Sequence, residues 1–480
     1  MSTFDIGPGR NASAKGHIVT SVIAADEPQQ HYQRAIADLS AALPSPQAFD
    51  ARGSRLVHLV TTPDFHPGKP VPVGVTADID NAVLPHLIGN DIGCGMRMIA
   101  LDNVDENDLG QNLDRHLRHV FFQGGRDIAL TGYDRNAILR DGLAGLMESL
   151  AARPRLGLLS RLDFSRAWAD LDRTADAGGF AARGVDPDFE DYGRIDPDHR
   201  RDAILGTIGG GNHFVELGVV DRIEDREFAN CAGLRKGTVT VIVHSGSLDF
   251  GQRIGAATRE RLMKTGQNRH APILSAERDR PDFERYMVGH DNAANIAFAN
   301  RLLIGLAAIE ALSRAIGREI GHRLVYDAPH NTVWAKDGRV QHRKGACPAR
   351  GGDQMLGTPY AWQGEPVILP GSMGDGAWLL KGLGAEQTLQ SSAHGAGRRL
   401  SRQEARATAA LSDTLRVVGP VDLGDFHLRG RPDIMLEAKA RLLEEAPSAY
   451  RPIESVVDPM VKAGMVGRVA KITPMITVKG

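Results

Sequence analysis

Cysteine is scarce in this chain: 480 residues carry three, Cys94, Cys231 and Cys347. So few exclude a disulfide framework and point to a reducing compartment, with the cytoplasm as the default expectation. Long hydrophobic runs are missing as well; no uninterrupted apolar stretch approaches the ~18 residues that a membrane span needs. Residues 1–10 lack the basic stretch and apolar core of an export signal, so no membrane partner is expected. Charge of one sign is not in excess either, since 57 Lys and Arg stand against 59 Asp and Glu, a formal net charge of −2. That balance excludes a chain that coats nucleic acid or membrane indiscriminately and confines any polyanion site to a local groove. Repeats, low-complexity tracts and Ser/Pro-rich linkers are absent. The whole of 1–480 therefore reads as one body, with a surface insertion at about 178–199 that is acidic and marked by Asp-Pro turns at Pro187 and Pro197.

What the chain does have is a hydrophobic fraction of 42% and 54 glycines, enough for a large core and many tight turns. Apolar runs predict strands at Val239 to Val243, Arg323 to Tyr326 and Pro366 to Leu369, and each stops near a polar or Gly-rich turn. Helical periodicity covers Arg135 to Ala152, Asp291 to Ile316 and Pro432 to Glu445. Without a regular βαβ alternation, the expected class is α+β with mixed sheets and surface helices.

The turns carry the chemistry. Asp91 and Cys94 lie three apart in G-N-D-I-G-C-G-M, where the glycines let a carboxylate and a thiol converge. His213 ends G-G-G-N-H, His244 closes V-I-V-H and His330 follows Y-D-A-P. Taken singly, each has an ordinary role as a core or turn residue. Taken together, a thiolate, a carboxylate and three imidazoles suit one or two borderline divalent metals, with too few thiolates for a structural zinc site. A second group is S-S-A-H-G-A-G-R, Ser391 to Arg398, preceded by P-G-S-M-G. Its glycine amides can form a phosphate nest, with His394 either as general acid or as nucleophile. Lys69, Arg343, Lys344, Arg398, Arg399 and Arg402 flank these motifs and are candidates to clamp an anionic substrate. His116, His119 and His342 read as surface or structural.

The blocks D-I-G-C-G-M, G-G-G-N-H-F-V-E, H-S-G-S, H-N, H-R-K-G-A, P-G-S-M-G and H-G-A-G-R occur in this order, and the chain closes in V-K-G. In this the chain resembles the RtcB family of RNA-splicing ligases over nearly its whole length. The resemblance implies an α+β body of its own type, two manganese ions bridged by Cys94 with Asp91, His213, His244 and His330 as the other ligands, and GTP as the nucleotide. By the same resemblance His394 is the histidine that takes GMP and passes it to an RNA 3′-phosphate, before a 5′-hydroxyl seals the ends. The nucleotide contacts it implies are Asn212, Glu216, Ser372, Gly395, Ala396, Gly397, Tyr450 and Lys479. Implied partners are tRNA halves or broken RNA ends, with an archease-like activator left open. The competing class is a metal-dependent phosphohydrolase that opens cyclic phosphates without ligating. Three positions depart from the family pattern: Leu248 and Asp249 follow H-S-G-S where Arg is usual, Pro329 precedes His330, and Ala393 precedes His394. The first removes a cation and is expected to add an acid close to His244.

Overall fold

The strands expected from the apolar runs form and lengthen by a few residues, because backbone pairing continues past the last apolar side chain. The computed structural model describes residues 12–264, 271–411, 415–422 and 431–480. In chain order its principal strands are β1 Ala12–Ala14, β2 His17–Ser21, β3 Arg55–His66, β4 Val73–Asp80, β5 Gly95–Leu101, β6 Phe214–Ile223, β7 Val239–Ser245 and β8 His322–Pro329. They continue with β9 Asn331–Lys336, β10 Arg339–Lys344, β11 Ala346–Pro348, β12 Pro366–Pro370, β13 Ala377–Gly382, β14 Ser391–Ala393 and β15 Val466–Val478. The first sheet has the order β1-β2-β3-β4-β10-β9, and the second β8-β5-β7-β6-β15-β13-β12, with the short strand Val417–Val418 alongside β15. A two-stranded ladder pairs β11 with β14.

The principal helices are α1 Gln29–Ala42, α2 Asn112–Phe122, α3 Gly132–Ala151, α4 Asp249–Lys264, α5 Arg280–Ile316, α6 Arg402–Thr408 and α7 Pro432–Glu444. Helix α3 starts earlier than its apolar periodicity because Thr131 and Asp134 form a reciprocal cap, with the Asp134 amide donating to Thr131 and the Thr131 amide donating to Asp134. Helix α5 begins eleven residues ahead of the expected start, with Pro281 in its first turn, and stops at Gly317, whose φ is 74°. The chain is a mixture of helix and strand as expected, with one exception to helices at the surface. The apolar window of α5 is 89% buried and forms the spine of the largest core cluster. Its length and composition would suit a membrane span, but its neighbours are the protein's own α2, α3, α4 and β7.

A buried helix must satisfy its polar side chains internally, and α5 does so by fastening loops. Asn292 donates to Leu139 O and Gly184 O and accepts from the Asp186 amide. Asn295 donates to Phe180 O and accepts from the Phe180 amide. Both side chains hold the acidic 178–199 stretch, whose Asp186 and Phe189 are buried while most of its charged side chains face solvent. Gly142 makes this docking possible: at φ 59° it interrupts α3, and a Cβ there would lie 2.5 Å from Gly178 O.

Candidate active site

Antiparallel pairing explains why sequence-distant motifs meet. Strands β8, β5, β7 and β6 are consecutive neighbours and alternate in direction. The starts of β5 and β6 and the ends of β7 and β8 therefore share one edge of the sheet. Asp91 and Cys94 precede β5, His213 precedes β6, His244 lies near the end of β7 and His330 follows β8. Strand β15 runs antiparallel to β6 with Thr477 opposite Glu216, so Lys479 arrives at the same edge. From the first sheet, β3 brings Asp64 and His66, and β14 of the small ladder leads directly into His394.

All of these except Asp64, which lies buried behind His394, line one cavity of about 350 Å³. Cys94 Sγ lies 3.3 Å from His213 Nε2 and 3.3 Å from His244 Nε2, and Asp91 Oδ2 lies 2.9 Å from His213 Nε2. The ligand atoms of Cys94, His213 and His244 all fall within 4.8 Å of one another. His244 Nδ1 bonds to Asn212 O at 3.0 Å, which turns Nε2 toward the sulfur. The His330 ring centre lies 5.1 Å from that of His244, edge to face, and 4.7 Å from that of His394, tilted by 59°. Gly246 makes room for Asp91, since a Cβ there would meet the carboxylate at 2.4 Å.

Burial, and then the Asp91 charge, push the Cys94 thiol up, while burial and neighbouring cationic forms push His244 and His330 down. Buried imidazoles that resist protonation keep lone pairs for a cation. His213 Nδ1 and His330 Nδ1 are buried and lack hydrogen-bond partners among the described residues. A divalent ion fits this donor set, because it offsets a thiolate and a carboxylate and takes the imidazole lone pairs.

His394 is set apart from that cluster by its own partner. Asp64, fully buried, accepts from His394 Nδ1 at 2.6 Å, from the His394 amide at 3.0 Å and from Thr62 Oγ1 at 2.6 Å. Burial alone would raise the Asp64 carboxyl, but these hydrogen bonds and the His394 charge outweigh it and hold it below its usual range. An ionised carboxylate can only accept, so a neutral His394 imidazole carries its proton on Nδ1 and keeps its lone pair on Nε2.

Elsewhere in the cavity lining Glu216 is pushed up to about 7 by burial, and Thr477 Oγ1 lies 3.4 Å from it. Burial pulls the Lys479 ammonium down while Glu445, 3.7 Å away, opposes that shift. Glu445 is itself a buried acid; it accepts from Tyr450 OH and from Arg398 at 3.2 Å, and Arg402 stands 3.6 Å from it. Arg398 also covers one face of Tyr450, its Cζ 4.9 Å from the ring centre.

Of the positions singled out in the sequence, Lys69, Asn212, Ser372, Gly395, Ala396, Gly397, Lys344, Arg398, Arg402, Tyr450 and Lys479 line this cavity with the cluster. Arg343 does not. It is buried over the Trp334 ring and donates to Ser391 Oγ and to Leu389 O, so it braces β14 and is not free to clamp a phosphate. Lys344 Nζ is spent on Lys69 O and Val71 O, and burial brings it down to about 7. The acid expected beside His244 is also displaced: Asp249 opens α4 and is exposed, while Leu248, at φ 52°, donates its amide to Asp91 Oδ1 at 3.1 Å. Asp64 and Glu445 were missed. Asp64 stands in the same P-D-F-H-P-G-K stretch as Lys69, but its role rests on a contact with His394, 330 residues away; nothing in the sequence around Glu445 marks it.

A family model described as "tRNA-splicing ligase RtcB" matches residues 51–480. Among curated proteins, the chain is 32% identical over 454 residues to a tRNA-splicing ligase RtcB of Nanoarchaeum equitans, covering 88% of each chain. It is 31% identical over 425 residues to an RNA-splicing ligase RtcB2 of Escherichia coli, covering 88% of this chain and 87% of the other. An RNA-splicing ligase RtcB of Mycobacterium tuberculosis is 30% identical over 447 residues, with 87% and 96% covered.

Proposed function

The chain belongs to the RtcB family of RNA-splicing ligases, and from that premise we propose that it joins RNA 3′-phosphate or 2′,3′-cyclic phosphate ends to 5′-hydroxyl ends, using GTP and manganese. The observation that carries this reading is the orientation of His394 by Asp64, whose carboxylate lies 2.6 Å from Nδ1, in the same cavity as the Cys94, His213 and His244 cluster. A hydrolase that opens cyclic phosphates could use such a histidine as general acid or base, but it has no need of a nucleotide pocket, which Glu216 and Lys479 in the lining of the same cavity would supply.

In this proposal His394 Nε2 attacks the α-phosphorus of GTP, a P–N bond forms, the bond to the β-phosphate oxygen breaks, and pyrophosphate leaves. Asp64 holds Nδ1 and stabilises the charge that develops on the ring. The amides of Gly395 to Gly397 hold phosphate oxygens, and Arg402 and Lys69 at the cavity wall offer cationic contacts to the incoming strand. Glu216 accepts from the N1 and N2 donors of guanine, an edge that adenine lacks, and Asn212, Ser372, Tyr450 and Lys479 frame the base and ribose. Asp91, Cys94, His213, His244 and His330 would hold the manganese, which would neutralise phosphate charge. GMP then passes to the RNA 3′-phosphate and leaves when the 5′-hydroxyl attacks. The substrates are tRNA halves or broken RNA ends in the cytoplasm, with an archease-like protein as a candidate activator.

The test is incubation of the protein with GTP labelled at the α-phosphate and manganese. An acid-labile protein-bound GMP is expected, and an equal yield from labelled ATP would sink the assigned pocket. Loss of a buried charge-assisted pair costs roughly 2–3 kcal/mol, so Glu216→Ala should weaken GTP use by roughly tens-fold or more. The free Glu216 carboxyl, raised to about 7, must be ionised to accept both donors. GTP capture should therefore weaken as pH falls below about 7, by up to roughly tenfold per pH unit. Glu216→Gln should flatten that step; an unchanged pH profile in Glu216→Gln would place the titration elsewhere.

A further inference from the structure

We infer that Asn300 and Arg301, adjacent on the buried helix α5, are positioning residues that set the spacing of all four ligand-bearing segments and thereby the affinity for the divalent cations. The inference rests on the metal-site reading above and adds to it two residues that touch no ligand atom.

Arg301 is fully buried, and its guanidinium is divided among three segments. Nη1 donates to Gly93 O at 2.6 Å, one residue before Cys94, and to Ser245 O at 3.2 Å, one residue after His244. Nε donates to Asp327 Oδ1 at 2.8 Å, on the strand that ends at His330. Asn300, also fully buried, reaches the fourth segment. Its Oδ1 accepts from the Gly206 amide at 2.7 Å, and its Nδ2 donates to Thr207 O at 3.1 Å, at the entrance to the glycine turn before His213. The same Nδ2 lies 3.1 Å from Ser245 Oγ and 3.1 Å from Gly246 O, which ties that entrance to the His244 segment.

Two adjacent side chains thus touch every backbone segment that presents a ligand. The arrangement goes beyond what folding requires, because Asp327 already accepts from Arg97 Nη1 at 3.1 Å. One carboxylate is shared by two buried guanidiniums, and Arg301 Nη2 is left without a hydrogen-bond partner among the described residues. A buried surplus charge is costly. It is rational where a planar fork must hold three segments at fixed separations so that an ion finds its ligands already spaced.

The test uses the full-length protein stripped of metal, titrated calorimetrically with manganese alone, beside its thermal melt. Arg301→Lys keeps the charge on Asp327 and loses the fork; Asn300→Ser loses the link between the His213 and His244 segments. Each should bind manganese about 10- to 100-fold more weakly, measured at a temperature where the melt shows the metal-free variant still folded. With cobalt as probe, the thiolate-to-metal charge-transfer band should shift in both variants, a signature that a general loss of stability does not produce. Wild-type affinity and an unshifted band in a folded Arg301→Lys or Asn300→Ser overturns the inference, and Asn300→Ser decides alone if the arginine variant does not fold. A wild-type protein that binds no manganese, or a Cys94→Ala variant that binds it as well as wild type, overturns the metal-site reading and the inference with it.

Discussion

Cys94→Ala is expected to lose bound manganese and the nucleotide adduct together while the protein stays folded. The sulfur is buried, and within 3.3 Å of it lie two imidazole nitrogens from different strands. Removing the sulfur therefore removes the one atom common to both, and with it the negative charge that compensates a cation in a site of low dielectric. The fold does not depend on the thiol. What Cys94 contributes to the sheet edge is its carbonyl, which accepts from the His330 amide at 2.7 Å, and alanine keeps that bond. Elemental analysis of the gel-filtered variant should show manganese reduced to background, and labelled GTP should leave no adduct above background. Full metal occupancy in Cys94→Ala would mean that the imidazoles and Asp91 hold the ion unaided, and that the sulfur is only a small buried hydrophobe.

Legibility in the sequence followed the range over which each signal acts. Strands β7, β8 and β12 were readable because apolar runs report burial on both faces of a sheet, a local property. Helix α3 began earlier than expected because its start is set by a cap between Thr131 and Asp134, not by apolar spacing. The central place of α5 was not readable, since period-3.6 spacing is the same for a half-buried helix and for one surrounded on all sides. Periodicity also says nothing of its polar residues, and Asn292, Asn295, Asn300 and Arg301 are the fasteners of a core helix. At the site, Asp91, Cys94, His213, His244 and His394 stood out because each sits among glycines or at a strand end, and the fold draws all of them to one cavity. Arg343 misled because charge alone does not reveal direction: Lys344 and Arg343 alternate on β10, and Arg343 points into the packing against Trp334. Asp64 was hidden for a different reason. Its role exists only across 330 residues of chain, where β3 of one sheet meets the loop after β14 of the small ladder.

That contact makes the most consequential prediction one about two residues at once. His394→Ala should abolish the GMP adduct and all sealing that starts from GTP, because a covalent nucleophile has no bypass. Joining of an RNA whose 3′-phosphate already carries GMP should survive at least in part in the same variant, since that step no longer breaks a bond to histidine. Asp64→Asn should behave differently. The carboxylate holds the proton on Nδ1 through a 2.6 Å bond and fixes the ring again through the His394 amide at 3.0 Å. An amide in its place can donate to Nδ1 and put the proton on Nε2, the atom that must attack. By analogy with histidines that lose an orienting carboxylate, adduct formation should then fall roughly 100-fold or more, while the pre-guanylylated RNA is joined nearly as well as by wild type. The pair of substrates separates the roles: a loss confined to GTP in both variants identifies His394 as the bond-forming group and Asp64 as the group that aims it. An adduct of normal yield on His394→Ala, or one mapped to a lysine such as Lys344 or Lys479, would remove His394 from the covalent chemistry and return the site to the phosphohydrolase reading.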